Sequence, residues 1–137
     1  MTKEQVFEFI KKQKTAMISS VDENGFPNTK AMLAPRKIDD TDFYFSTNTS
    51  SMRVSQYNVN GKACVYFYKR GLFSYTGIML VGIMQVLTDQ SIKDEIWHTG
   101  DTMFYKKGKT DPDYCVLKFT AQRCRVYKDL KTIWIDI

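Results

Sequence analysis

The stretch Ser74–Leu87, SYTGIMLVGIMQVL, constrains the fold most. Its length and apolarity admit a buried helix, but Gly77, Gly82, Thr76 and the run of Val and Ile all disfavour one. It reads as a single long strand, the fifth of the chain. Its glycines predict bends or a close approach of another backbone. Around it the pattern is also β. Thr15–Val21 is short, apolar and β-prone, and the Asn24-Gly25 pair that follows is a strong hairpin signal. Residues 27–38 return as the second strand, with Pro35 marking an edge or a bend. Residues 43–47 form the third strand. The fourth, 63–68, is almost wholly apolar or aromatic, so both of its faces are expected to be covered. Residues 114–127 form the sixth, and 132–137 a last strand or an ordered tail.

Helices punctuate this order. Thr2 and Gln5 make a capping box ahead of a helix over 3–13. A short helix over 50–57 follows the third strand, and one over 91–97, with Ser91 as its cap, follows the fifth. A further helical piece falls at 101–106, before a loop. The expected fold is mainly β: a six-stranded antiparallel barrel with flanking helices, a single domain over 1–137.

Several functions are disfavoured at once. No apolar run approaches the roughly 20 residues of a membrane span, and charges fill the N-terminus where a signal peptide needs its apolar core. A cytoplasmic chain with no membrane contact is expected. The cysteines, Cys64, Cys115 and Cys124, are odd in number and form no CxxC, so reduced thiols are expected and no metal site. His98 is the only histidine, which leaves little for a serine hydrolase triad or a zinc site. There is no nucleophile elbow, no HExxH and no dinucleotide fingerprint. Gly108-Lys109-Thr110 resembles the end of a P-loop, but Met103 stands where its first glycine belongs. Net charge is +5. That suits an anionic ligand, or weak nucleic-acid binding. Tyr66, Phe67 and Tyr68, with Lys69 and Arg70 behind them, would serve as a stacking platform for RNA. Alternate aromatics filling a barrel account for them as well, and no RNP-like motif is present.

What remains is Phe45–Tyr57, FSTNTSSMRVSQY. A strand ends, hydroxyl side chains crowd together, and a helix N-terminus follows. Free N–H groups and the helix dipole favour an anion there. Thr47, Ser50 and Ser51 can donate hydrogen bonds to a phosphate, and Arg53 can pair with it. Helix capping by one serine is the plain alternative. It leaves the arginine unexplained.

The order and spacing of these pieces resemble the FMN-binding split-barrel proteins of the pyridoxamine 5′-phosphate oxidase-like family, in their short, general-stress-protein branch. The likeness lies in AMISSVDENGFPNTKAML (Ala16–Leu33), FYFSTNTSSMRVSQYNVNGKACVYFY (Phe43–Tyr68) and KTDPDYCVLKFT (Lys109–Thr120). The resemblance implies a homodimer with FMN at the subunit interface. Lys30, Thr47, Ser51, Met52 and Arg53 occupy the phosphate-binding places, and the backbone of Ala31, Met32 and Leu33 would run along the flavin ring. A partner subunit would cover the other side. The implied activity is that of an oxidoreductase on an unassigned small molecule, with NADH or NADPH as electron donor. The alternative is a non-catalytic barrel that holds flavin, heme or a nucleotide for storage or sensing. Met52 stands where the family usually has arginine, and Lys30 and Arg53 exchange the usual arginine and lysine. Gly77 replaces a ring-contacting glutamine, and no C-terminal arginine-bearing segment is present, so oxidation of pyridoxamine phosphate itself is not expected.

Overall fold

Thr2 opens the chain's first helix by the reciprocal bonds of a capping box, its hydroxyl taking the Gln5 N–H while the Gln5 side chain takes the Thr2 N–H. The computed structural model describes all residues, Met1–Ile137. Helix α1 (Lys3–Lys11) buries Val6 and Ile10 and leads into β1 (Thr15–Val21). The Asn24-Gly25 turn then closes the β1–β2 hairpin, with Gly25 at φ 81°. The Asp22 carboxylate stiffens it by accepting the N–H groups of Asn24 and Phe26.

The expected second strand is broken in two. β2 (Pro27–Leu33) pairs with β1, and β3 (Lys37–Asp39) pairs with β4 (Asp42–Asn48). Pro35 lies in the gap, where the chain leaves one end of the sheet for the other. Helix α2 (Met52–Val59) follows β4, and Val54 and Tyr57 are its buried residues. The long strands β5 (Lys62–Arg70), β6 (Tyr75–Leu87) and β7 (Tyr114–Lys128) form the middle of the sheet. Between β6 and β7 lie α3 (Gln90–Ile96) and two 3-10 turns, Thr99–Met103 and Gly108–Thr110. Asp89 rather than Ser91 occupies the N-cap of α3. The C-terminal segment is a true strand, β8 (Lys131–Asp136), paired with β7.

The result is one antiparallel sheet in the order β2-β1-β5-β6-β7-β4-β3, with β8 beside the second half of β7. Eight strands are present where six were expected. The additions are β3, split from the second strand, and the tail strand β8. The sheet does not close, because β2 and β3 stay unpaired on their outer edges. This open seam is what makes the barrel a split one. No helix is long and apolar enough to cross a membrane.

Side chains on one face of the curved sheet meet α1 in a continuous core that includes Phe43, Phe45, Phe67, Leu80 and Phe119. The other face is only partly covered. Tyr44, Tyr114 and Val116 pack there beneath Ile96 and Tyr105. Further along, the cross-strand row Tyr66–Met79–Arg125–Trp134 has no element above it. Within the single chain the fourth strand is covered on one face, where Val65 and Phe67 are buried, while Tyr68 on the other face is about half exposed.

Gly82 explains how the sheet curls. The β6–β7 register shifts between Val81 and Gly82, with Gln122 as the extra residue of a bulge. There the two backbones come so close that a Cβ on Gly82 would lie 2.0 Å from the Thr120 carbonyl oxygen. Gly77 is close-packed in another way, because the Tyr66 phenol lies over it. Replacing Gly82 with alanine should therefore destabilise the protein by about 3 kcal/mol. Gly100, whose Cβ would meet nothing within 4 Å, should tolerate the same change within about 0.5 kcal/mol. Urea unfolding of the two variants checks the contrast.

Candidate functional site

β4 ends at Asn48, the chain turns through Thr49–Ser51, and α2 begins at Met52. A short polar turn of this kind would be mobile if left to itself. Here the loop before β7 holds it from below. The Thr49 N–H donates to the Asp113 carbonyl at 2.8 Å and the Thr49 hydroxyl to the Pro112 carbonyl at 3.2 Å. The Ser50 N–H donates to the Asp113 carboxylate at 2.9 Å. The Asp-Pro-Asp-Tyr segment thus acts as a scaffold for the start of α2.

That scaffold leaves some groups without partners. Ser51 occupies the N-cap of α2 but makes no capping bond. Its buried hydroxyl has no hydrogen-bond partner, and neither does the buried Nε of Arg53. One Nη of Arg53 donates to the Thr47 hydroxyl at 3.2 Å, and the guanidinium forms no ion pair. Thr47 is itself buried, and its hydroxyl hydrogen remains free to donate. Buried donors left unmatched are rare, since each costs about 1–3 kcal/mol. Two hydroxyls and a guanidinium with unused donors thus lie within Thr47–Arg53, and the nearby Asp113 carboxylate is engaged on the Ser50 N–H.

Thr47 and Arg53 border a cavity of about 250 Å³ set in the open seam of the sheet. Lys30, Ala31, Met32 and Leu33 of β2 form one wall, and Ser46, Thr47 and Asn48 of β4 face them with Arg53. Because β2 pairs only with β1, every second backbone N–H and C=O along it is free. Of the eight residues the sequence singled out, Lys30, Ala31, Met32, Leu33, Thr47 and Arg53 line the cavity. Ser51 lies beside Met52 at the helix start, outside the lining. Met52 is 73% exposed and does not line the cavity either.

The far wall went unnoticed in the sequence. Arg36 forms a two-pronged ion pair with Asp101 at 3.1 and 2.8 Å. The buried Asp101 carboxylate also takes the His98 N–H at 2.9 Å. This pair fixes the first 3-10 turn against the loop after β2. Phe104 stands exposed on the rim. The Tyr105 hydroxyl donates to the Asn48 side chain at 3.4 Å, and burial pushes its phenol well above the usual range, so it stays protonated. Trp97 packs edge-on against Tyr114 behind this wall, and Trp134 lies on β8 beneath Arg123, so neither lines the cavity. No cluster of three His, Cys, Asp or Glu side chains that could hold a metal occurs.

The family described as Pyridoxamine 5′-phosphate oxidase matches residues 2–128. Among solved structures, a Clostridium acetobutylicum protein related to general stress protein 26 of B. subtilis, of the pyridoxinephosphate oxidase family, is 37% identical. The match covers 98% of this chain and 93% of that one, with a TM-score of 0.85. General stress protein 26 from Bacillus anthracis str. Sterne is 20% identical over 98% and 97% of the two chains, with a TM-score of 0.76. A heme binding protein from Mycobacterium smegmatis shares the fold at 9% identity, over 93% of this chain and 55% of that one, with a TM-score of 0.74. No curated protein matches the chain.

The Arg36–Asp101 pair yields a test of the far wall. Asp101→Asn leaves a largely buried guanidinium facing a neutral amide and should cost about 3 kcal/mol of stability. Arg36→Met combined with Asp101→Leu, which removes both charges, should recover much of that loss. Chemical denaturation of the single and double variants measures the difference.

Proposed function

The chain belongs to the pyridoxamine 5′-phosphate oxidase family, and on that premise we propose that it is an FMN-binding flavoprotein acting as an oxidoreductase on a small molecule. The observation that carries this reading is the unmatched set of buried donors at the start of α2: the Ser51 hydroxyl and the Arg53 Nε, beside Thr47. A phosphate monoester carries close to two negative charges and three acceptor oxygens, so it matches that set. Lys30, on the facing strand, would supply a second cation. The free edge of β2 at Ala31–Leu33 would offer backbone donors and acceptors to the polar rim of a flavin ring, and Phe104 would bound the space above it.

When bound, FMN supplies the redox chemistry, with NADH or NADPH as the donor we expect. The chain's own groups bind and orient the cofactor. None of the lining residues is placed as a dedicated acid or base: Asp101 is locked to Arg36, and burial keeps the Tyr105 phenol protonated. Met52 points away from the cavity into solvent, so the clamp depends on Lys30 and Arg53 for its charge.

The same reading includes a homodimer. In support, the bare sheet face is apolar along β6 at Met79, Val81 and Ile83, and aromatic on the strands beside it. A second copy seated there would bury that face and could bring its own side chains over the flavin. A heme reading is prompted by the Mycobacterium smegmatis neighbour. It has less support, because no histidine lines the cavity and the phosphate-sized cluster of donors would go unused.

The protein purified from its expression host should be yellow, or turn yellow with added FMN, and should release FMN on denaturation. Arg53→Ala and Lys30→Ala should each weaken FMN binding by about 2 kcal/mol, close to thirtyfold, as read by flavin fluorescence titration. A colourless protein that fails to take up FMN would sink the reading. Absorption near the heme Soret band instead of the flavin bands would favour the alternative.

A further inference from the structure

Two hairpin turns meet at one end of the sheet, away from the cavity. The first joins β5 to β6 and is closed by the Gly71 N–H donating to the Ser74 carbonyl at 2.8 Å. It carries Leu72 and Phe73 at its tip, 90% and 96% exposed. The second joins β7 to β8 through Asp129 and Leu130, both in the left-handed region at φ 52° and 62°. Leu130 is 88% exposed. Strand register places the turns side by side, since Arg70 pairs with Tyr75, Thr76 with Lys128, and Lys128 with Lys131. Residues of both turns line one shallow cavity of about 260 Å³.

Neither tip has a folding reason. A two-residue turn of the second kind favours Asn-Gly or Asp-Gly, because both central residues need a positive φ. Leucine in that position is strained and buries nothing. Leu72 and Phe73 likewise expose almost their whole side chains. Around these three apolar tips stand Lys69, Arg70, Lys128 and Lys131, all exposed and none in an ion pair. Asp129 is the one opposing charge in the two turns.

We propose that this end of the molecule docks on an anionic lipid surface, inserting Leu72, Phe73 and Leu130 while the four cations meet the headgroups. Apolar tips backed by basic residues are the chemistry of peripheral membrane contact. A spanning segment is a different criterion, and its absence does not bear on two loop tips. A symmetric tip-to-tip contact between two copies would oppose four cations with four, which disfavours self-association through this end. The proposal does not use the flavin cavity, and it requires that a second copy seated on the sheet face leave the two tips free.

The test is co-sedimentation of the full chain with vesicles of phosphatidylcholine mixed with phosphatidylserine, beside vesicles of phosphatidylcholine alone, at low and high salt. Wild type should sediment with the anionic vesicles, less so at high salt, and remain in solution with the neutral ones. Leu72→Ser with Phe73→Ser should lower binding by about tenfold or more while the melting temperature holds. Leu130→Asn should also lower binding, yet raise the melting temperature by relieving the left-handed strain. That opposite pair of signs separates a docking residue from a structural one. Wild type that ignores anionic vesicles at low salt would overturn the proposal, as would a double variant that binds unchanged. So would a double variant whose elution volume shifts from that of wild type, because the tips would then belong to a contact between copies.

Discussion

The close pairing of β6 with β7 is the contact on which the rest of the structure depends. β7 carries β6 along one edge and both β4 and β8 along the other. The Gly82 approach to Thr120, together with the Gln122 bulge, bends that ladder midway. A regular ladder would leave a flatter sheet. With the bend, the β1–β2 hairpin and the β3–β4 hairpin swing toward each other without pairing, and the cavity is the space they leave. The cavity is therefore a product of sheet curvature. It is not carved by a loop, and its floor is rigid backbone on two sides.

On that floor the balance of charge decides what can bind. Arg36 is fully answered by Asp101, a short-range pair that spends its charge on holding the far wall. Arg53 has only a neutral hydroxyl, and Lys30 makes no ion pair. The cavity thus has a neutralised end and an electropositive end, so an elongated ligand with one anionic terminus would enter in one orientation. The division of labour also explains why Asp113 matters although it does not itself line the cavity. It accepts the Ser50 N–H, and so fixes the turn that aims Ser51 and Arg53.

What the sequence revealed follows from how local each signal is. The Thr2–Gln5 capping box and the Asn24-Gly25 turn are set by contacts within a few residues, and both are present. The start of α2 was legible for the same reason, since strand end, hydroxyls and Arg53 fall within a dozen residues. Lys30 came from family resemblance, because its meeting with Arg53 depends on the curl of the sheet. The Arg36–Asp101 pair joins residues 65 apart and left no trace in local pattern. β8 was visible only as a strand or tail, because its turn uses Asp129-Leu130 in place of the usual glycine. The strand's two apolar sides predict cover on both faces but not its source, because the pattern looks the same whether the second cover is its own chain or another.

The two exposed apolar regions differ in kind, and the difference argues for different occupants. The sheet face is broad, ordered and internally organised. Tyr66 and Tyr75 share a 2.6 Å hydrogen bond, burial pushes the Tyr66 phenol up to about 12, and Arg123 lies over the Trp134 ring at 4.4 Å. Rings and guanidinium groups held in fixed positions suit a shape-matched protein surface, where little side-chain freedom remains to be lost. The hairpin tips have no such organisation. Leu72, Phe73 and Leu130 touch few neighbours and make no specific polar contacts, which suits a fluid partner that demands no matching shape. One fold thus presents an ordered face suited to a partner chosen by geometry, and a charged apolar tip suited to one chosen by physical state.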